Sequence, residues 1–168
     1  MQYNKLAIPD KITLCYGIIP VILTDGEFNK CITVMQHNCL SFPKGHLEIG
    51  ETDIECAKRE FYEETHIDLE FLKILDNEPT ISISYITRKY NVEFKIIKFY
   101  LAIIDLEKLY HKHNCDIELI KKEDKDSLGI KLIDLNNDYI NNRHIKLNYH
   151  MKKKIPYINQ IIKNYLKK

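Results

Sequence analysis

Residues 45–67 read GHLEIGETDIECAKREFYEETHI, and this stretch decides both the fold and the chemistry that the sequence predicts. Its second part, residues 52–65, predicts a helix, because Thr52 and Glu55 have the spacing of a capping box and apolar residues recur at helical intervals. Gly45 allows the preceding loop to fold tightly against that helix. The stretch therefore predicts a glycine-bearing loop followed by an amphipathic helix.

Three glutamates, Glu60, Glu63 and Glu64, stand at positions i, i+3 and i+4 of the predicted helix. This spacing places their carboxylates on one face, as neighbours across a single turn. Carboxylates so close repel each other unless a cation lies among them, and oxygen ligands at this density suit Mg²⁺ or Mn²⁺. Such a triplet alone is common on solvated helix faces. The glycine loop and Arg59, which can pair with a carboxylate through two hydrogen bonds, favour a functional interpretation.

The stretch resembles the Nudix box, G-x5-E-x7-R-E-U-x-E-E-x-G-U, where U is a bulky apolar residue. The matching positions are a glycine, four glutamates, an arginine and two apolar residues: Gly45, Glu51, Arg59, Glu60, Phe61, Glu63, Glu64 and Ile67. One position departs, since His66 stands where the family has its second glycine. Glycine there would end the helix in the left-handed conformation. Histidine tolerates positive φ comparatively well, so the departure should cost on the order of 1 kcal/mol.

The resemblance implies a metal-dependent hydrolase and gives each matching residue a role. The residues that it assigns to catalysis are Glu51, Arg59, Glu60, Glu63 and Glu64. The metal ligands that it implies are Glu60, Glu63, Glu64 and the backbone carbonyl of Gly45. In such a reaction, Mg²⁺ or Mn²⁺ neutralises the diphosphate and lowers the pKa of bound water, while a carboxylate accepts the proton. The sequence leaves open which glutamate is the base.

A further acidic ligand or base is expected from the polar stretch at residues 111–126, because many Nudix proteins carry one in the corresponding loop. Glu123 lies at about the right distance before Ile130 and is the predicted metal ligand. Glu118 and Asp124 are alternatives. Acidic loop residues are also often only solvated.

The loop that enters the box contains FPKGH at residues 42–46. This string resembles diadenosine tetraphosphate hydrolases of the animal and archaeal type, and diphosphoinositol polyphosphate phosphatases share PKGH. The resemblance implies that Lys44 contacts a substrate phosphate as a mobile positive charge. The alternative is an exposed loop lysine.

A second resemblance to diadenosine tetraphosphate hydrolases lies in SYITRK at residues 84–89 and FYLA at residues 99–102. It implies an aromatic ring that stacks on adenine, with Tyr85, Phe99 or Tyr100 as candidates. Aromatic residues in strands more often belong to the core. Phe99 and Tyr100 cannot both line the pocket, because successive strand residues face opposite sides. We take Tyr85 and Phe99 as the candidate substrate contacts.

These resemblances imply hydrolysis of a nucleoside diphosphate linkage, with diadenosine tetraphosphate, cleaved to ATP and AMP, as the leading substrate. The alternatives are an RNA 5′ pyrophosphohydrolase, a nucleoside triphosphate pyrophosphohydrolase and a diphosphoinositol phosphatase. A non-catalytic Nudix nucleotide-binding module is an alternative of another class. The intact glutamates argue against that module, since such modules typically lose one or more of them.

The rest of the chain predicts an α/β protein, a single Nudix domain over residues 1–168 built as an α/β/α sandwich with a mixed sheet. Strands are predicted at residues 12–23, 31–36, 68–76, 80–89, 92–104 and 130–135. Residues 41–50 are predicted to form a loop, and turns are expected at 25–26 and 90–91. Apolar residues at helical spacing predict an amphipathic helix with a basic outer face at residues 149–166.

Composition limits the partners. Lys and Arg number 25 and Asp and Glu 24, so the net charge of +1 gives no global signal for nucleic acid or a membrane surface. We expect a small nucleotide as the partner, with the 5′ end of an RNA as a second possibility, and neither DNA nor a membrane. Five cysteines without CxxC spacing predict reduced, mostly buried thiols in a cytoplasmic protein. The sequence says nothing about the oligomeric state.

Overall fold

The computed structural model describes residues 10–24, 27–36, 38–87, 92–105, 107–109, 130–135 and 146–167 of the chain. The strands of this part are β1 (Lys11–Thr24), β2 (Glu27–Gln36), β3 (Cys39–Ser41), β4 (Lys44–His46), β5 (Leu72–Ile74), β6 (Ile81–Thr87), β7 (Glu93–Ile104) and β8 (Ile130–Asp134). The helices that carry the argument are α1 (Asp53–Thr65) and α2 (Tyr149–Leu166), and Leu69–Phe71 forms a short 3-10 helix.

All of these strands join one mixed sheet. Its order is β3-β2-β1-β7-β5, with β4 beside β1, β6 beside β7 and β8 beside β2. The central strands β1 and β7 are parallel and paired from Lys11 and Glu93 to Ile22 and Ile104. The other pairs are antiparallel. The apolar, β-branched sequence of β1 suits this central place, since most of the strand is covered on both faces.

A separate hydrophobic core lies on each face of the sheet, because alternate residues of a strand point to opposite sides. One core joins β1 to α1 and includes Ile18, Ile22, Ala57 and Phe61. The other core joins β1 to α2 and includes Ile19, Val21, Ile155 and Ile158. The predicted α/β/α sandwich with a mixed sheet between helices is therefore confirmed.

Two local predictions were incomplete. The expected loop at residues 41–50 contains the end of β3 and all of β4, whose Lys44 pairs with Gly17 of β1. Residues 68–76, expected to be one strand, begin with the 3-10 helix, and only Leu72–Ile74 is extended. The side chain of Phe71, the last residue of that turn, is buried in the core beneath α1. The predicted turns at 25–26 and 90–91 lie outside the described residues.

The cysteines of the described ranges agree with the prediction of reduced thiols. Cys15, Cys31 and Cys56 are buried, Cys39 is partly exposed, and all four are free. Among the described helices, none is both long enough and apolar enough to cross a bilayer.

Candidate active site

Helix α1 begins and ends as the sequence predicts. Thr52 is its N-cap, and the reciprocal hydrogen bonds between Thr52 and Glu55 complete the capping box. His66 is its C-cap in the left-handed conformation, with φ of 54°. The last turn of α1 contains no basic residue, although the helix dipole favours positive charge there. Glu63 and Glu64 lie in that turn, so other groups have to offset their charge.

Gly45 allows the carboxylate of Glu60 to lie directly against the backbone of β4. A Cβ atom at Gly45 would stand only 1.8–2.0 Å from the carboxylate atoms of Glu60. No other amino acid therefore fits at residue 45 without moving that carboxylate. Glycine is required at the first position of the box because β4 and α1 approach each other closely there.

Arg59 joins the other carboxylates of the box. Its Nε donates to Glu51 at 2.8 Å, and its Nη1 donates to Glu60 at 2.8 Å and to Glu63 at 3.1 Å. Its Nη2 donates to the backbone carbonyl of His46 at 3.0 Å. Hydrogen bonding to Arg59 is the main reason why the pKa of Glu51 is lowered, and the same contact raises the pKa of Arg59. One guanidinium thus binds three glutamates and the last residue of β4, and fixes their relative positions.

A buried thiol also ties the loop to the helix. Cys56 Sγ lies 3.3 Å from the carbonyl oxygen of His46 and 3.8 Å from that of Gly45. Burial raises the pKa of Cys56 to about 12, so the thiol keeps its proton and donates it to these carbonyls. The β4 backbone is therefore held against α1 from two sides, by Cys56 and by Arg59.

Glu64 is held by β4 and by β2. Its Oε2 accepts the backbone N–H of Lys44 at 3.0 Å, and its Oε1 accepts a hydrogen bond from the side-chain amide of Gln36. The carbonyl oxygen of the same amide accepts the Lys44 ammonium at 2.6 Å. Lys44 and Glu64 are thus joined both through the main chain and through Gln36.

Lys44 is not the exposed loop lysine that was the alternative interpretation. It begins β4 and its side chain is half-buried, and burial lowers its pKa. A partly desolvated ammonium interacts more strongly with an anion than a fully hydrated one does.

Lys44 also lines a small cavity of about 20 Å³ on the α2 side of the sheet. The cavity is bounded by polar and apolar side chains from β3, β4, β6, β7 and the start of α2, among them Ser41, Lys44, Tyr85, Phe99 and His150. The ring of Tyr85 stacks on His150 with centroids 4.5 Å apart and planes 12° apart. Phe99 is 1% exposed and packs edge-on against Phe42, so it forms the floor of the cavity.

Tyr100, the third aromatic candidate, lies on the opposite face of the sheet from Phe99. It is 1% exposed and belongs to the core beneath α1. The strand alternation expected for this pair is therefore confirmed, and Tyr100 does not line the cavity that holds Tyr85.

The oxygen chemistry of the box fits a hard divalent cation. The Glu60 carboxylate lies against Gly45 of β4, and the Glu64 carboxylate binds the neighbouring Lys44 N–H. The side chain of Glu63 is 53% exposed. Within the described residues, no three acidic, histidine or cysteine side chains converge closely enough to chelate a metal ion as they stand. Two of the three carboxylates bind Arg59, so a cation would share them with the guanidinium.

The predicted residues thus form two adjoining groups. The first contains the box residues and the second contains Tyr85 and Phe99, with Lys44 in contact with both. Glu123, and the alternatives Glu118 and Asp124, lie outside the described residues. Sequence reasoning missed Gln36, Cys56 and His150, because a lone glutamine after a strand, a cysteine in a helix and a histidine at a helix start have no distinctive spacing.

Curated protein sequences gave no match. The Ap4A hydrolase of C. elegans, solved as a binary complex, has a similar structure, with a TM-score of 0.67, 19% identity and coverage of 90% of this chain and 98% of that one. The dihydroneopterin triphosphate pyrophosphohydrolase of E. coli gives a TM-score of 0.59 at 13% identity, covering 88% of this chain and 95% of that one. Shewanella oneidensis NrtR, complexed with a 27mer DNA, gives 0.59 at 13% identity and covers 89% of this chain and 61% of that one.

These likenesses concern the fold, an α/β/α sandwich with a mixed sheet between helices. The NUDIX domain family matches residues 16–109, more than half of the chain, so the protein belongs to the Nudix family. It is a Nudix hydrolase, with every carboxylate of the box in place.

Proposed function

We propose that this Nudix hydrolase cleaves dinucleoside polyphosphates, with diadenosine tetraphosphate as substrate and ATP and AMP as products. Water attacks a phosphorus atom of the polyphosphate chain, one P–O–P bond breaks, and the two nucleotides leave separately. The fold resembles the Ap4A hydrolase of C. elegans, which is compatible with this substrate.

The position of Lys44 is the observation that carries the proposal. Its backbone N–H binds Glu64, while its side chain lines the cavity that contains Tyr85. A substrate with its base near Tyr85 would pass its phosphates over the ammonium before reaching the carboxylates of α1. This arrangement suits a nucleotide whose reacting phosphate is some distance from its base.

The residues of the box would divide the chemistry between them. A bound Mg²⁺ or Mn²⁺ would neutralise the diphosphate and lower the pKa of an attacking water. Glu60, Glu63 and Glu64 would supply its oxygen ligands, and one of these carboxylates, or Glu123, would accept the proton from water. Arg59 would keep Glu60 and Glu63 aligned while they do so. The backbone carbonyl of Gly45 would be a further ligand.

The free cysteines suggest the compartment, and the chemistry of the box suggests the partners. The free cysteines of the described ranges support a reducing compartment, and we infer the cytoplasm. A small nucleotide is the proposed partner, and a 5′-triphosphorylated RNA would present the same diphosphate to the box.

The test is a magnesium-dependent turnover panel, scored as kcat/KM. It compares diadenosine tetraphosphate, 5′-triphosphorylated RNA, nucleoside triphosphates and a diphosphoinositol phosphate. Glu63→Gln serves as the blank, since the side chain of Glu63 is 53% exposed and this isosteric change should leave folding intact. We expect diadenosine tetraphosphate to be preferred, with equal amounts of ATP and AMP released.

A preference for another substrate would reject the dinucleotide and leave the chemistry of the box intact. Unchanged turnover in Glu63→Gln would contradict the assignment of this carboxylate to catalysis.

A further inference from the structure

We propose that Gln36 is a positioning residue that fixes the Glu64 carboxylate and the Lys44 ammonium relative to each other. Gln36 is the last residue of β2 and is half-buried between β4 and α1. The inference rests on the proposed roles of Glu64 in metal binding and of Lys44 in phosphate binding, and on no particular substrate.

The two ends of the Gln36 amide serve different partners. Its NH₂ group donates to Glu64 Oε1, and its carbonyl oxygen accepts from Lys44 Nζ at 2.6 Å. A primary amide can satisfy an anion and a cation at once without adding charge, which neither a carboxylate nor an ammonium can do. Asparagine has the same group, but its side chain is one methylene shorter.

Gln36 and Lys44 hold different oxygens of the Glu64 carboxylate. The backbone N–H of Lys44 donates to Oε2 of Glu64. With Gln36 on Oε1, both oxygens are fixed. A carboxylate has about four lone-pair sites, so an oxygen that accepts one hydrogen bond can still bind a cation.

The other end of the Gln36 amide positions the Lys44 ammonium. The side chain of Lys44 is half-buried, so its ammonium loses part of its hydration. The Gln36 carbonyl offsets part of that cost and holds the ammonium beside Glu64. Loss of the amide should therefore affect two functions, metal binding through Glu64 and substrate affinity through Lys44.

The experiment uses Gln36→Met, which keeps the length of the side chain and removes both hydrogen bonds. Mn²⁺ affinity is measured by calorimetry without substrate, and kcat and KM are measured with the substrate that the turnover panel identifies. Groups that orient a metal ligand typically contribute a factor of about 10 to 100 in metal affinity or activity. We expect Mn²⁺ affinity to fall about 10-fold and KM to rise. Gln160→Met, the same substitution at an exposed position of α2, should change neither.

A double-mutant cycle separates positioning from a general structural effect. Mn²⁺ affinity is also measured in Glu64→Ala and in the double variant, with thermal unfolding as the check on folding. If Gln36 acts through Glu64, adding Gln36→Met to Glu64→Ala should weaken Mn²⁺ binding by less than about twofold. Gln36→Met in the wild-type protein should weaken it about tenfold.

An equal loss in both backgrounds, or wild-type affinity in Gln36→Met, would overturn the proposal. The calorimetric readout contains no nucleotide, so failure of the substrate proposal would appear only in the turnover panel.

Discussion

Gly45 marks the point at which β4 and α1 come closest. Its backbone φ is unremarkable for any residue, so the demand for glycine comes from the Glu60 carboxylate that occupies the space of a side chain. Gly50, five residues later, is the reverse case. It has φ of 85°, and a Cβ there would meet nothing within 4 Å. Glycine is therefore favoured at the two positions for different physical reasons, close approach of Glu60 at Gly45 and a positive φ at Gly50.

Gly45→Ala should inactivate the enzyme without unfolding it. The new methyl group meets the far end of a flexible glutamate, so Glu60 can move away at little cost in stability, but its carboxylate then leaves its place. A displacement of about 1 Å can reduce kcat by about 100-fold. Turnover and urea unfolding of the same preparation measure the two effects.

Gly50→Ala is the matched control. It should lower the free energy of unfolding by about 1 kcal/mol through backbone strain and leave kcat nearly unchanged. If both variants lost the same activity, a general distortion of the loop would replace the explanation based on Glu60.

Residue spacing predicted the acidic face of α1 because i, i+3 and i+4 positions share a side of any helix. It could not predict that Lys44 is half-buried, since burial depends on Gln36 of β2 and on the pairing of β4 with β1. The site was thus predictable where it lies on one element, and unpredictable where three elements meet.

The C-cap of α1 keeps histidine in a conformation that glycine adopts without strain. His66 has φ of 54° and its backbone N–H donates to the carbonyl of Tyr62. Its ring also contacts the Tyr62 ring edge-on at 6.0 Å. The end of the helix predicted from the box pattern is confirmed, with the strain that the departure from glycine implies.

His66→Gly should stabilise the protein. The left-handed conformation costs a residue with a side chain about 1 kcal/mol or more, and the greater freedom of glycine in the unfolded chain takes back about half of the gain. We expect a net stabilisation below about 1 kcal/mol, or a rise of roughly 2 °C in Tm. His66→Ala is the control and should show no gain, because alanine has the same strain. A lower Tm in His66→Gly would mean that the Tyr62 contact outweighs the strain.

The start of α2 covers the aromatic face that the proposed substrate needs. His150 stacks on Tyr85, and the remaining cavity of about 20 Å³ is far too small for a purine. A base that stacks on this face of Tyr85 therefore has to displace His150.

His150→Ala should lower the KM for the nucleotide and leave kcat unchanged. Stacked ring pairs contribute about 0.5–1.5 kcal/mol, so release of this pair should lower KM by roughly 3- to 10-fold. Tyr157→Ala, at a 51% exposed aromatic residue of the same helix, is the control. A higher KM in His150→Ala would instead show that His150 itself contacts the base.

At the scale of elements, hydrophobic patterning predicted α1, α2 and the long strands, because each buries a full face or stripe. It missed β4, whose three residues KGH contain no apolar side chain. Hydrogen bonds to β1, rather than burial, define that strand. Hydrophobic patterning does not predict strands of this kind.

Acid should destabilise the whole molecule through carboxylates that are hydrogen-bonded in the folded state. Hydrogen bonds lower the pKa of Glu51 through Arg59, of Glu93 through Thr13 and of Asp105 through Lys108. Because these pKa values are lower in the folded protein than in the unfolded chain, the unfolded chain takes up protons first as the pH falls.

Their stabilisation is complete above the ordinary glutamate pKa of 4.5 and is lost as the pH falls through the folded values. We expect the urea midpoint to be steady from about pH 7 to about pH 5 and to fall toward about pH 3. Glu51→Gln should reduce the size of that fall. A urea midpoint that stayed constant or rose toward pH 3 would show that these carboxylates do not link protonation to stability.

The arrangement in three layers was predictable because the order of strands and helices along the chain leaves few ways to cover both faces of a sheet. The turns expected at 25–26 and 90–91 also predicted two pairs of neighbouring strands, and β1 does pair with β2 and β6 with β7. The parallel pairing of β1 with β7 was not predictable, because it joins distant parts of the chain; the contacts between Asp10 and Val92, at one end of it, join residues 82 positions apart.

That pairing has a consequence for the order in which the protein can form. On the ribosome, α1 is made before β7, although part of the apolar surface on which α1 packs, including Tyr100, Ala102 and Ile104, belongs to β7. Until β7 has emerged, Phe61 has only part of its native environment, and the nascent box exposes apolar surface. Contacts so distant in sequence also raise the contact order and slow folding. The enzyme is therefore a candidate for chaperone assistance during synthesis, at the stage when α1 has been made and β7 has not.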